Sequence, residues 1–358
     1  MTLSDSLDND IRQAIPVGVD DGYAQTKVCS PDPASLRSDV PGTPLVIPSR
    51  GRTGPAGMGG AEGDVPPSVY RCGHEVVTVD AGLIDPEETR GEQYKTSALN
   101  RAVVFHALHR AGLDEPLARG RGLCLVTGLP YSRYFAALGT RDKTQIEAKT
   151  RHYQQAVTRL NGAPVARIIW HTVSPEAVAA LAAHNVETRN AGGRWSAVID
   201  IGGQTTDIVL VTRNTDGVTI DHAHSATAKT AMLSVHDYMR QKIPNLSRRA
   251  CEDALRQFTR TGHARVRLER QDQDIADLVA DSLAAVGAVI GRQADRLLAA
   301  ASADIDLILV AGGGAEALGR FLRIQGVEIV TDPQTANARG FFYKARERVR
   351  AAQSRGVA

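Results

Sequence analysis

The 358-residue chain has few cysteines, no surplus of either charge and no long apolar run. Cys29, Cys72, Cys124 and Cys251 stand alone, with no Cys-x-x-Cys pair. That is the usage of a reducing compartment, and it argues against a disulfide framework and against thiolate metal ligation. Lys and Arg total 42 and Asp and Glu 40, a net charge of +2. A direct grip on a phosphate backbone normally needs a clear excess of basic residues on one face, so no direct nucleic-acid surface is expected. No stretch approaches the roughly 18 apolar residues of a spanning helix. Residues 1–13 are polar and acidic, without the apolar core of a signal peptide or anchor. The expectation is a cytoplasmic chain with no membrane contact, whose ordinary apolar content supplies two cores of moderate size.

What is present is one design used twice. Val17-Gly18-Val19-Asp20-Asp21-Gly22-Tyr23-Ala24-Gln25-Thr26-Lys27 and Ala197-Val198-Ile199-Asp200-Ile201-Gly202-Gly203-Gln204-Thr205-Thr206-Asp207 are each an apolar run that ends in an acid, turns on glycine and re-enters a strand-like sequence. A hairpin of that kind offers backbone N–H groups from residues without bulky side chains and sets a carboxylate beside them. Phosphates need the donors, and a phosphate-bound Mg²⁺ needs the acid. A third element, Asp306-Leu307-Ile308-Leu309-Val310-Ala311-Gly312-Gly313-Gly314-Ala315-Glu316, reads as a buried strand, a glycine turn and a helix start. Glycine there lets a flat purine lie against the main chain. Together, and in this order, the three elements resemble the actin/Hsp70/hexokinase class of nucleotide-binding folds.

Between these motifs the chain alternates. Residues 51–67 are too rich in Gly and Pro for a helix or a central strand and read as a mobile surface loop or a partner-contact loop. Short strands are expected over 70–79, then a helix over 97–109 with a stop at Gly112, and a buried strand with a tight turn over 122–131. His106 and His109 are three residues apart on that helix, but no third metal ligand accompanies them. Residues 165–173 are strand-like, and Ser174-Pro175-Glu176 then looks like a helix start, with Ser174 as cap and Pro175 in the first position. Glu176 is either a first-turn acid facing the helix dipole or a cleft residue that positions a water. Residues 190–195 read as a turn into a new sheet, and apolar residues at three-to-four spacing predict a long helix over 275–298. The basic stretch 344–350 reads as a solvated helix end. His222 and His224 fall on one side of a strand, and two histidines make no metal site.

The pattern of hairpins, strands and helices repeats once, as in two related α/β domains around a cleft. Asp20-Asp21-Gly22 with Lys27, the Leu129-Pro130 turn, Ser174-Pro175-Glu176, the second hairpin closed by Thr206-Asp207, and Gly312-Gly313-Gly314-Ala315-Glu316 together resemble the ParM/StbA-type plasmid segregation proteins, actin-like ATPases. The resemblance implies two actin-like, ribonuclease H-like domains flanking a nucleotide cleft. Domain I would span 1–172, with 335–358 returning to it, and domain II 173–334. It implies ATP or GTP with Mg²⁺, assembly into a homopolymeric filament, and a DNA-binding adaptor protein of a partition system as partner. By the same resemblance Asp20 and Asp200 would organise Mg²⁺ through its waters, and Glu176 and Asp200 would be catalytic. Asp21, Gly22, Tyr23, Ala24, Gln25 and Lys27 would bind nucleotide, as would Gly202, Gly203, Gln204, Thr205, Thr206, Gly312, Gly313, Gly314 and Ala315.

One stretch departs from that pattern: residues 222–242 lack the glycine pair that many superfamily members place near the ribose. Sugar and base contacts, and with them ATP against GTP, are open at this level. Two other functions fit the same fold: a small-molecule kinase with a cleft acid as general base, and a nonhydrolytic scaffold of the kind represented by a pilus-assembly actin homologue. No polar cluster in the sequence reads as a sugar pocket for the kinase.

Overall fold

The computed structural model describes residues 9–32, 40–55, 68–80, 82–83, 86–87, 89, 91, 93–114, 120–189, 193–215 and 217–355. The chain divides into two units, one of Met1–Leu129, Arg133–Ala183 and Asn337–Ala358, the other of Pro130–Ser132 and His184–Ala336.

The described residues of the first unit form nine strands: β1 (Ile15–Asp21), β2 (Gln25–Cys29), β3 (Leu45–Pro48), β4 (Gly51–Thr53), β5 (Val69–Cys72), β6 (Glu75–Val79), β7 (Leu123–Leu129), β8 (Val157–Arg159) and β9 (Ile168–Pro175). A five-stranded sheet has the order β3-β2-β1-β7-β9. Strands β1, β2 and β3 are antiparallel neighbours, whereas β7 and β9 run parallel to β1. All seven residues of β1 and all seven of β7 are buried, as expected of central strands covered on both faces. The second sheet, β4-β6-β5-β8, is antiparallel throughout.

The helix Ala98–Arg110 is capped by Ser97, whose hydroxyl accepts from the Asn100 amide, and ends just before Gly112, which takes a φ of 72°. It packs into a core with Val17, Val19, Tyr70, Val77 and Leu125. The helix Ala336–Ser354, which carries the basic stretch 344–350, lies on β1 with no intervening side chain. A Cβ on Gly18 would sit 2.1 Å from the Ala338 carbonyl oxygen and 2.3 Å from the Phe342 nitrogen.

The second unit repeats this topology. Its strands are β10 (Trp195–Ile201), β11 (Thr206–Asn214), β12 (Gly217–Ala228), β13 (Arg265–Leu268), β14 (Gln271–Asp274), β15 (Leu307–Ala311) and β16 (Val327–Ile329). The main sheet runs β12-β11-β10-β15-β16, with β10 to β12 antiparallel and β15 and β16 parallel to β10. Strand for strand this matches the first sheet: an antiparallel meander on one side of the first strand, two parallel strands on the other. The long helix expected over 275–298 is present as Ala276–Leu298. It buries Val279, Leu283, Val286, Ile290, Ala294 and Leu298 at the helical spacing that predicted it.

Three expectations change. Ser174 and Pro175 do not open a helix; they close β9, in register with Gly128 and Leu129 of β7. Ladder pairing against a buried neighbour outweighs the local capping signal, and the helix begins later, as Val178–Thr188. In the glycine-rich stretch 51–67, Gly51–Thr53 forms the edge strand β4, while 56–67, which carry most of the expected loop, lie outside the described residues. Of the expected turn over 190–195, residues 190–192 also lie outside them, and Trp195 already belongs to β10.

Candidate functional site

The first hairpin turn joins β1 to β2, and its carbonyls are tied down one after another. Gly22 O accepts from the Ser49 hydroxyl at 2.7 Å, Tyr23 O from the Thr89 hydroxyl at 2.6 Å and Ala24 O from the Ser49 amide at 2.9 Å. In a planar trans peptide the N–H points opposite to the C=O, so the amides of Tyr23, Ala24 and Gln25 are turned away from those partners. A row of like-directed N–H groups is what an anion requires. Gln25 opens β2 and pairs in register with Pro48. Asp20 stands beside this turn with Lys27 as its ion-pair partner at 3.0 Å, and both are largely buried.

Asp21 is placed differently from the sequence expectation. Its side chain points into the unit and is fully buried. It forms an ion pair with Lys149, a second with Lys95 at 3.4 Å, and accepts from Asn100 Nδ2 at 2.9 Å and from the Tyr153 hydroxyl at 3.0 Å. Four partners inside the unit consume the carboxylate, so Asp21 anchors the hairpin from below rather than offering itself to a ligand. Burial alone would raise its pKa, but the Lys149 and Lys95 charges outweigh that and hold it well below the usual carboxylate range. The two lysines respond in opposite ways. Burial opposes the Lys95 ammonium too, yet Asp21 and Glu176 together keep its pKa well above the ordinary lysine value. Lys149 has only Asp21 as a bonded carboxylate, and burial draws it down to about 8.

Glu176 follows β9 at a sharp turn. Its amide donates to Leu129 O at 2.9 Å, and its Oε1 accepts from Lys95 Nζ at 3.1 Å. The next residue, Ala177, is fully buried with a φ of 62°. That left-handed conformation costs a non-glycine residue about 1–2 kcal/mol, and the Ala177 amide is pinned to Asn337 Oδ1 at 3.1 Å.

In the second unit the hairpin turn from β10 to β11 is built the same way. Gly202 O accepts from the Met232 amide at 3.3 Å and Gly203 O from the Leu233 amide at 2.8 Å, at the start of the helix Met232–Lys242. The amides of Gly203 and Gln204 are thereby turned away from the helix. Thr205 O accepts from the Gly202 amide, and the Thr206 hydroxyl donates to Thr230 O. Gln204 Oε1 is buried without a hydrogen-bond partner, an acceptor that an added donor would satisfy.

The glycine turn after β15 lies against the same hairpin. Gly314 N donates to Ile201 O at 2.9 Å, and a Cβ on Gly312, whose φ is 87°, would fall 2.4 Å from Asp200 Oδ1. Gly313 is exposed, and Ala315 begins a single helical turn. Asp200, Gly202 to Thr206 and Gly312 to Ala315 are therefore brought together within one unit. Asp207 has another task, accepting from the Tyr131 amide at 2.8 Å and from the Thr227 hydroxyl at 2.6 Å.

Residues 62–187 match the family model described as plasmid segregation protein ParM, N-terminal, and residues 198–324 match that of the archaeal actin homologue MreB-like, C-terminal. The chain is an actin-like protein of the ParM type. No curated protein matches it. Solved structures that resemble it include a 15-stranded ParM filament from Clostridium botulinum, with 17% identity over 94% of this chain and 99% of that one and a TM-score of 0.72. The archaeal actin homolog Ta0583 in complex with ADP has 18% identity, covers 93% and 99%, and gives a TM-score of 0.67. Bacillus thuringiensis ParM with AMPPNP has 16% identity, covers 94% and 99%, and gives 0.60. At these identities the likeness establishes the actin-like fold of the ParM-type chain.

The remaining candidates have structural partners. His106 Nδ1 lies 3.2 Å from the Tyr70 hydroxyl and His109 Nδ1 2.6 Å from Asp114. His222 meets the Tyr131 hydroxyl at 2.7 Å and His224 meets Asp221 at 2.9 Å. Among the described residues no three His, Cys, Asp or Glu side chains gather as a metal cage, and no helix is long and apolar enough to cross a membrane. All four cysteines are buried, and none forms a disulfide among the described residues. Sequence reasoning missed Lys95, Asn100, Lys149 and Tyr153. They come from two short segments, 95–100 and 149–153, and share no motif, and nothing local in either segment marks Lys95 or Lys149 as the buried side chain it is.

Proposed function

We propose that this ParM-type chain binds a nucleoside triphosphate on its two hairpin turns, hydrolyses it, and assembles with copies of itself into a filament that moves plasmid DNA through a DNA-bound adaptor protein in the cytoplasm. The observation that carries the reading is the shared construction of the two turns. Each has its carbonyls bound inward, its N–H groups turned outward and an aspartate, Asp20 or Asp200, at the end of the preceding strand. The ADP and AMPPNP complexes of proteins with this fold support a nucleotide as ligand, and the filament of a ParM supports self-association.

Phosphoryl transfer to water asks the protein for placement and charge compensation rather than covalent chemistry. The outward amides of Tyr23, Ala24, Gly203 and Gln204 would hold phosphate oxygens, with Gln25, Lys27, Thr205 and Thr206 beside them. Gly312 to Ala315 would pass the nucleoside. Mg²⁺ keeps most of its waters and binds chiefly through phosphates, so it needs few protein carboxylates. Asp20 and Asp200 would hold it through those waters, and when bound it neutralises charge on the phosphates. Glu176, fixed in orientation by its turn and by Lys95, would accept a hydrogen bond from the attacking water.

Light scattering on adding ATP or GTP, with phosphate release followed in the same sample, tests the proposal. Assembly followed by decay and phosphate release is expected. Phosphorylation of an added metabolite without assembly would instead assign a small-molecule kinase, and assembly without phosphate release a nonhydrolytic scaffold. Asp200→Ala should abolish hydrolysis, and Glu176→Ala should retain nucleotide while hydrolysing it slowly. Parental turnover in Glu176→Ala would remove that residue from the mechanism.

A further inference from the structure

Several independent constraints converge on Glu176. The turn behind it is held in a strained conformation at Ala177. Its Cγ lies 2.9 Å from where a Cβ on Gly128 would stand, so β7 has room for this side chain only because residue 128 has none. Its Oε1 is gripped by an ammonium whose side chain is 1% exposed, against 13% for Glu176 itself. Strain of this kind persists where the surroundings over-determine it, and it gathers at working sites.

We infer that Lys95 is a positioning residue for Glu176, linking the carboxylate that orients the attacking water to the floor of the first phosphate-binding turn. The inference rests on the hydrolytic reading of Glu176 given above. The bland alternative makes Lys95 a counter-ion of Asp21. Asp21, however, already has Lys149, Asn100 and Tyr153, and Lys95 stands nearer to Glu176, 3.1 Å against 3.4 Å. Lys95 also lies over the Tyr23 ring, 5.4 Å from its centroid, so that one ammonium touches two residues of the hairpin and the carboxylate beyond it. A carboxylate held by a fixed cation remains an acceptor and keeps its plane, which is what aiming a water requires.

A double-mutant cycle on the full chain tests this, with steady-state hydrolysis of ATP as readout. Lys95→Met should lower kcat about tenfold or more with KM within about twofold, the pattern of an interaction used in the transition state. On a Glu176→Gln background the same substitution should cost less than about twofold, because the charge it served has gone. Lys149→Met removes a cation from the same Asp21 without touching Glu176, and should lower the Tm while leaving kcat within about threefold. Where Lys95→Met does not fold, Lys95→Gln, which keeps a donor without the charge, gives the same comparison.

An equal loss in both backgrounds, or a loss from Lys149→Met as large as from Lys95→Met, would overturn the inference and leave Lys95 a structural counter-ion. A slow Glu176→Gln beside a fast Lys95→Met would sink the role of Lys95 alone. A fast Glu176→Gln would sink the hydrolytic reading of Glu176, and this inference with it.

Discussion

Asp21→Asn separates the two possible uses of the doubled aspartate. The substitution keeps the shape of the side chain and removes one charge from a fully buried position with two cations and two neutral donors around it. Breaking a buried ion pair by neutralising one partner costs about 3–5 kcal/mol, since the remaining charge stays desolvated. For a unit of this size each kcal/mol moves the Tm by about 2–4 °C, so a fall on the order of 10 °C is expected.

The loss should depend on pH. Lys149 is held near 8 in the parent, below an unfolded lysine. The folded state therefore binds fewer protons than the unfolded state above about pH 8, and this group makes stability rise with pH up to about 10.4, the pKa of an unfolded lysine. Without Asp21 the folded pKa of Lys149 falls further, and the proton leaves earlier. The gap between parent and variant should then be widest near pH 6 and narrower at pH 9, where Lys149 is mostly neutral in both. Thermal unfolding followed by far-ultraviolet circular dichroism at the two pH values gives the gap, and nucleotide affinity of the folded protein is measured well below both midpoints. An unchanged Tm with lost affinity would mean that this carboxylate faces the ligand, and the account of the network would be wrong.

Two further outcomes follow from packing and titration. Burial depresses His106 and His171 each to about 4. The stability they contribute is complete above the unfolded value near 6.5 and is lost as pH falls toward 4, on the order of 1–3 kcal/mol each. A Tm that stays level from pH 7 to 4.5 would contradict this. Gly18→Ala forces a methyl to within 2.1 Å of the Ala338 carbonyl, and overpacking of that kind costs about 1–3 kcal/mol or more. A lowered urea midpoint is expected, and a parental midpoint would mean that the helix Ala336–Ser354 does not rest on β1.

The fold was legible where signals are local and periodic. The two acid-glycine turns, the Gly312-Gly313-Gly314 turn and the helix Ala276–Leu298 could be read because each concentrates its evidence in a few adjacent or evenly spaced residues. Glu176 was misplaced onto a helix because Ser174-Pro175 is a good cap in isolation, and only the pairing of β9 with β7 reveals a strand. Asp20 and Asp21 look alike in sequence, yet alternation along β1 sends neighbouring side chains to opposite faces, one beside Lys27 and the other into a ring of partners from distant segments. The hairpin of β13 and β14 had a readable sign that went unused: Arg265 and Arg267 stand in register with Asp274 and Asp272, a charge alternation suited to one face of a paired ribbon.

The split make-up of the first unit has a consequence for biosynthesis. Its strand β1 leaves the ribosome before the sheet of the second unit, but the helix that covers Gly18 leaves after it. The second unit has all its residues by Ala336, so during translation it can close before its older neighbour does. A nascent chain whose second unit has emerged while the helix Ala336–Ser354 is still inside the ribosome would hold a finished second sheet and a first one still bare along one strand, a species for chaperones to shield.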